Sequence, residues 1–189
     1  MIRSVLASLL AALPLATLAQ AQPEPASGYL CCNMRTDGSW ISDMNYADPG
    51  KRVIPLGTPV TATGYGRYRV HVEFPDGKQA IGNDFSRDLS MTTFAQRYVV
   101  AEDPKKKLAG LDPKVRKAID TGRLMSGMTR EQVLMSVGYP VSSENPRLDA
   151  AAWRYWLSGI SEFQVRFGPD DRVKDITIDP MTRHFVVLD

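Results

Sequence analysis

The chain has 189 residues with 23 Lys and Arg against 21 Asp and Glu, a formal net charge of +2. So even a balance excludes a surface built to hold nucleic acid or another acidic polymer by charge alone. An apolar share of 43% is that of a globular protein with a sizeable core.

In chain order, Arg3 gives the first residues one positive charge, and Val5 to Leu18 is apolar apart from Ser8 and Thr17. This run is short for a bilayer span and is interrupted by Pro14. Small-x-small sites follow at Thr17-Leu18-Ala19 and Ala19-Gln20-Ala21. Residues 1–21 therefore read as a secretory signal peptide cut after Ala21, and the mature protein as an exported one. Removal of Arg3 leaves 22 basic against 21 acidic residues, a net charge of +1. The first cysteine is Cys31, preceded by Gly28-Tyr29-Leu30. The aromatic Tyr29 and the distance from the apolar run argue against a lipid anchor there, and no other segment is apolar enough to span a membrane.

Residues 22–28 are Pro/Ala/Ser-rich and read as a disordered leader. Tyr29 to Lys51 mixes Cys, Trp40, Asp, Asn and Gly without a clear period, which suggests loops with short strands. Pro59 to Thr63 is a short strand, and Arg67 to Phe74 alternates so that Tyr68, Val70, Val72 and Phe74 share one face. Pro75-Asp76-Gly77-Lys78 is a turn, and Gln79 to Gly82 can pair back. Residues 29–101 thus form a β-rich module. The phrase Ile54-Pro55-Leu56-Gly57-Thr58-Pro59-Val60 resembles the opening of bacterial SH3-like modules.

Residues 102–112 carry charge, Gly and Pro and read as a linker; Lys105-Lys106-Lys107 within them reads as a solvated stretch rather than a lipid-headgroup site. Asp112 is then an N-cap with Pro113 at the first helical position, Val115, Ala118 and Ile119 on one side, and Gly122 at the end. Thr129 and Gln132 form a capping box for a second short helix with Val133, Leu134 and Val137 as its apolar stripe. Gly138 suits a left-handed terminus, and Pro140 blocks continuation. Three strands follow at Ala152 to Leu157, Glu162 to Phe167 and Arg172 to Ile178, with Pro169-Asp170-Asp171 turning between the last two.

The run Ile119-x-x-Gly122-x-Leu124-x-x-Gly127-Met128-Thr129-x-x-Gln132-Val133, then Gly138-x-Pro140, Trp153-x-Tyr155, Val165-x-Phe167 and Val173, resembles the SmpA/OmlA (BamE-like) family over roughly residues 115–178. The resemblance implies, for residues 113–189, an ααβββ domain with two helices on one face of a three-stranded antiparallel sheet, in a Gram-negative envelope. Members of that family are typically lipoproteins of the outer-membrane β-barrel assembly machinery, and the same fold occurs in β-lactamase inhibitors (BLIP-like). This chain departs from the family in lacking a lipobox and in carrying the extra N-terminal module. The expected class is α+β, and the expected setting is the periplasm, peripheral to the outer membrane.

Cys31 and Cys32 are the only cysteines. Within one chain their sole disulfide would join adjacent residues, whose Cα atoms lie about 3.8 Å apart across a trans peptide where disulfides prefer about 4.4–6.8 Å. A vicinal disulfide, bridges to another chain, free thiols and metal ligation remain open. The two histidines, His71 and His184, read as surface residues rather than as catalytic groups or, with the cysteines, as a zinc site. Asp43 to Asp48 lacks the Gly and bidentate Glu of a calcium loop, and no phosphate- or dinucleotide-binding glycine pattern occurs. No cofactor and no enzymatic activity are expected. By alternation Trp153 and Tyr155 belong to the core, while Arg154, Trp156, Gln164 and Arg166 share the outer sheet face, the candidate surface for a protein partner. Docking to outer-membrane assembly components is one expected role. Inhibition of an exported enzyme is the other.

Overall fold

A computed structural model describes residues 26–189, so the signal peptide and residues 22–25 of the leader lie outside the described residues. The protein is a mixed α+β chain dominated by sheet. Its strands are β1 Ser27–Leu30, β2 Met34–Thr36, β3 Trp40–Ser42, β4 Arg52–Ile54, β5 Pro59–Gly66, β6 Arg69–Phe74 and β7 Gly77–Gly82, then β8 Val99–Val100, β9 Ala152–Ser158, β10 Ser161–Phe167 and β11 Val173–Ile178. The helices are α1 Met91–Tyr98, α2 Pro113–Asp120, α3 Arg130–Val137 and α4 Arg183–Val186.

In the N-terminal half, β3-β7-β6-β5-β1-β8 form one sheet and β2-β4 a small second one. The β5-β6-β7 meander is the part its alternation foretells: β6 buries Val70, Val72 and Phe74 and exposes the residues between them. Tyr68 does not share that face. It sits in the two-residue turn that brings Gly66 opposite Arg69, with φ of 57°, and its ring is exposed beneath Arg87 at 4.4 Å. A two-residue hairpin needs positive φ, and the turn takes precedence over the period. The β3 strand pairs with β7 in parallel, a long-range match that no local pattern announces.

The described end of the leader and the charged 102–112 segment carry local structure of their own. Ser27 and Gly28 belong to β1, facing Thr61 and Val60, and Ala26 accepts a bond from the Ala62 N–H at 2.9 Å. These small polar residues gain order from backbone pairing, not side-chain burial. Residues 90–98, read as part of a β-rich stretch, form α1, capped by Ser90 and buried through Phe94, Ala95 and Tyr98. The charged segment includes a 3₁₀ helix, Pro104–Leu108, whose N-cap Asp103 accepts from the Lys105 N–H and whose Pro104 is buried.

The C-terminal half follows its local signals closely. Asp112 caps α2 by accepting from the Lys114 N–H at 2.8 Å, and the reciprocal Thr129–Gln132 capping box opens α3. Gly138 ends α3 with φ of 85°, where a side chain would be strained. The β9, β10 and β11 strands form an antiparallel sheet with β10 central. Ala118 and Ile119 of α2, Val133 and Val137 of α3, and Val186 share one core with Trp153, Tyr155, Phe163, Val165, Phe167, Val173 and Ile176 of the sheet. Arg130 seals its end, stacking 4.0 Å from the Phe167 ring and donating to the Leu148 and Ala150 carbonyls. The α3 stripe differs from the predicted one, since Met135 and Ser136 are buried and Leu134 is only partly so. This helix has a covered face on each side.

The second cover is the N-terminal half. Asn33 is buried and donates through Nδ2 to the carbonyls of Ile119 (2.6 Å) and Ser136 (3.2 Å), near the ends of α2 and α3, while its Oδ1 accepts from the Leu56 N–H at 2.9 Å. Asn45 donates to the Val137 carbonyl at 2.8 Å and to the Asn33 carbonyl at 3.0 Å. Helix C-termini leave carbonyls without intrahelical partners. Two asparagines from the irregular Tyr29–Lys51 block supply partners for both helices. Leu56 joins the C-terminal core, and Tyr139 packs on the N-terminal one.

Candidate functional site: an outer sheet face and a disulfide-lined cleft

All four predicted face residues lie on the side of the three-stranded sheet opposite its core. Cross-strand register sets Arg154 opposite Gln164, Gln164 opposite Thr177, Arg166 opposite Asp175 and Trp156 opposite Glu162. Period two sends these side chains outward while Trp153, Tyr155, Phe163 and Val165 go in.

The charges on this face are paired among themselves. Arg154 binds Glu162, with Nε donating at 2.6 Å, lies 3.6 Å from Glu144 and stacks 4.7 Å from the Trp156 ring. The Glu162 hydrogen bond raises the Arg154 pKa. Arg166 donates through Nη2 to Asp175 at 2.8 Å, which holds that carboxyl below its ordinary range. Trp156 is half-buried rather than free: its Nε1–H donates to Glu144 at 2.9 Å, and it shares a shallow depression with Met44 and Val141. Gln164 is exposed and central. Beyond it, the two-residue β9–β10 turn carries Ile160, 97% exposed, above a depression of about 320 Å³ walled by residues 160–164 and 177–179. Sequence reasoning passed over Ile160, although an isoleucine between Gly159 and Ser161 in a turn is itself a signal.

Cys31 and Cys32 are bonded to each other, with Cα atoms 3.8 Å apart. Of the four open outcomes for these thiols, the structure has the vicinal disulfide. The pair follows β1, and the Cys31 N–H donates to the Tyr98 carbonyl at 2.9 Å. Cys32 is wholly buried in the N-terminal core, whereas Cys31 is partly exposed. Cys31 lines a cleft of about 310 Å³ where β8, the 3₁₀ helix and α3 meet. Its walls are Val100, Pro104, Leu134, Met135 and Tyr139, and its charged groups are Glu102, Lys107 and Glu131. Lys107 donates to Glu131 at 2.5 Å, which raises the lysine pKa. Burial raises that of the Tyr139 phenol.

The structure does not bring the histidines to either place. His71 is exposed on β6, and the ring of His184 in α4 lies against Phe185 at 3.9 Å. Asp43, in the acidic block compared with a calcium loop, is a buried anchor whose carboxylate accepts from the N–H groups of Asp84 (3.3 Å) and Phe85 (3.0 Å). Burial pushes its pKa up to about 6. Among the described residues, no group of three or more His, Cys, Asp or Glu side chains is placed to hold a metal ion, and no helix is long and apolar enough to cross a membrane.

These features define a mixed α+β chain with a paired-charge sheet face and a separate sulfur-lined cleft. No protein-family description, curated protein or solved structure matches the chain.

Proposed function

We propose that the chain is a non-enzymatic cell-envelope protein that docks to a protein partner through the outer face of β9–β11. The observation that carries this reading is the continuity of that face. Arg154 and Trp156 stack at one side, exposed Gln164 sits at the centre, and Ile160 stands clear of the surface at the end. Arg and Trp are enriched in the energetic centres of interfaces, and an isolated apolar side chain on a two-residue turn fits a partner's pocket. Because Arg154 and Arg166 are already matched by Glu144, Glu162 and Asp175, a partner can cover them without supplying counter-charges.

The element order from Pro113 is helix-helix-strand-strand-strand followed by the short α4, and its first five elements, with α2 and α3 packed on one core with the sheet, support the family resemblance. On that reading residues 113–189 are a BamE-like domain, and the partner belongs to the outer-membrane assembly machinery. Export to the periplasm follows from residues 1–21, and attachment without lipid agrees with the position of β1. Cleavage before Cys31 would remove a strand paired on both sides, with β5 and β8.

A photo-cross-linking residue at Gln164 in cells carrying the full chain tests this. Capture of an outer-membrane assembly component, abolished by Ile160→Asp, is expected. Capture of one soluble enzyme that loses activity on binding would replace the adaptor with an inhibitor. No cross-link from position 164 with the protein present and folded would remove the face as a docking surface.

A further inference from the structure

The cleft beside the disulfide uses none of the residues of the sheet face. Its distinguishing feature is an asymmetry between two adjacent sulfur-bearing residues: Cys31 lines the cleft and is partly exposed, while Cys32 is fully buried with Leu30, Met34 and Phe94 in the same core. A thiolate displaces sulfur from a disulfide along a line through both sulfurs, so which sulfur it can reach decides the product. Here solvent reaches the pair only through Cys31. Five of the remaining cleft residues, Val100, Pro104, Leu134, Met135 and Tyr139, are apolar or aromatic, and the lysine is neutralised by Glu131. The cleft therefore favours a thiol carried beside apolar groups over a free anion.

We propose that this cleft is a thiol–disulfide exchange site whose substrate is a dithiol flanked by apolar side chains, with Cys31 as the attacked residue. The incoming thiolate forms a bond to Cys31 Sγ as the Cys31–Cys32 bond breaks. The electron pair leaves on Cys32 Sγ, which takes up a proton. The second thiol of the donor then displaces Cys31 Sγ, giving two protein thiols and an oxidised donor, so two electrons and two protons have passed to the protein. The position gives the exchange a readout within the fold. Asn33, next to Cys32, donates its N–H to the carbonyl of Met135, a wall of the cleft, and holds the ends of α2 and α3.

The test treats the native full-length mature protein with reduced glutathione, quenches with iodoacetamide and maps the products by fragment-ion mass spectrometry. Glutathione, being anionic, serves to show which sulfur is attacked: the result expected is glutathione on Cys31 with the alkyl group on Cys32, formed more slowly than the same adduct of an uncharged peptide whose thiol is flanked by apolar side chains. Dithiothreitol should give both alkylated without unfolding. Glu131→Trp, which places bulk at an exposed rim position, should slow the glutathione step at least tenfold with the denaturation midpoint unchanged. Leu134→Trp should slow the same step from the wall, with some loss of stability because Leu134 also packs against the C-terminal core. Glutathione on Cys32, labelling only after denaturant is added, free thiols in the untreated protein, or rates unaffected by both variants would each overturn the assignment.

Discussion

Replacing Asn33 with Ala should be among the most destabilising single changes in this protein. The side chain is 2% exposed and makes three hydrogen bonds: to the carbonyls of Ile119 and Ser136 and from the Leu56 N–H. A net contribution of about 1 kcal/mol per bond gives about 3 kcal/mol, and the Leu56 N–H left unpaired in a buried site raises rather than lowers that figure. For a chain of this size, about 1 kcal/mol moves the melting temperature by roughly 2–4 °C, so a fall of about 6–12 °C is expected. Asn33→Asp should be worse, because it places a carboxylate against two carbonyl oxygens. The assay is thermal and urea denaturation of the mature protein, followed by far-UV circular dichroism and by tryptophan fluorescence. Trp153 lies in the C-terminal core and Trp40 in the N-terminal sheet, so the emission draws on both halves. A midpoint within 1 °C of the parent would show that water replaces Asn33 without loss, and the capping argument would fall.

Two other perturbations probe separate parts of the fold. Asp43 has a folded pKa near 6 because it is buried, against roughly 3.9 for an unfolded aspartate. The folded state therefore binds more protons than the unfolded state between these values, and stability falls as pH rises from about 4 to about 6. The difference corresponds to about 3 kcal/mol. Asp43→Asn should abolish that fall, so the gap between variant and parent urea midpoints should widen in favour of Asn across this window; a gap independent of pH would sink the account. Gly28→Ala would put a Cβ 2.3 Å from the Val100 carbonyl oxygen, a contact that only movement of β8 relieves. Overpacking of this sort costs about 2 kcal/mol, read as a lowered urea midpoint, and an unchanged midpoint would show that β8 is free to shift.

What the sequence discloses and what it withholds divide along a physical line. The caps of α2 and α3 and the positive φ of Gly138 are local chemistry, settled within a few residues, and they stand where the sequence puts them, while the turn expected over Pro75-Asp76-Gly77-Lys78 tightens to Pro75-Asp76 because Gly77 and Lys78 already pair with Phe74 and Glu73. The face carrying Arg154, Trp156, Gln164 and Arg166 follows from period two alone. By contrast α1 holds Thr92 and Thr93, whose branched side chains give no strong helical preference, and it is fixed by burying Phe94 and Tyr98 against distant strands. The Tyr29–Lys51 block looks aperiodic because its polar residues answer to partners about 90–100 positions away: Asn33 to Ser136 and Asn45 to Val137. No local window can contain such a pair. The same holds for the cleft, whose walls come from three stretches of chain.

The junction also bears on whether the two halves can act separately. Across it run the Asn33 bonds to Ile119, Ser136 and Met135, the Asn45 bond to Val137, the Ala47 N–H to the Leu157 carbonyl, the Ser142 N–H to Ser86 Oγ and the Ser143 N–H to the Phe85 carbonyl. At about 1 kcal/mol each, parting the halves forfeits about 7 kcal/mol before any exposed apolar surface is counted. That is already within the roughly 5–15 kcal/mol that holds a typical domain folded. A hinge at residues 102–112 would therefore cost about as much as unfolding, and the two halves should melt in one transition.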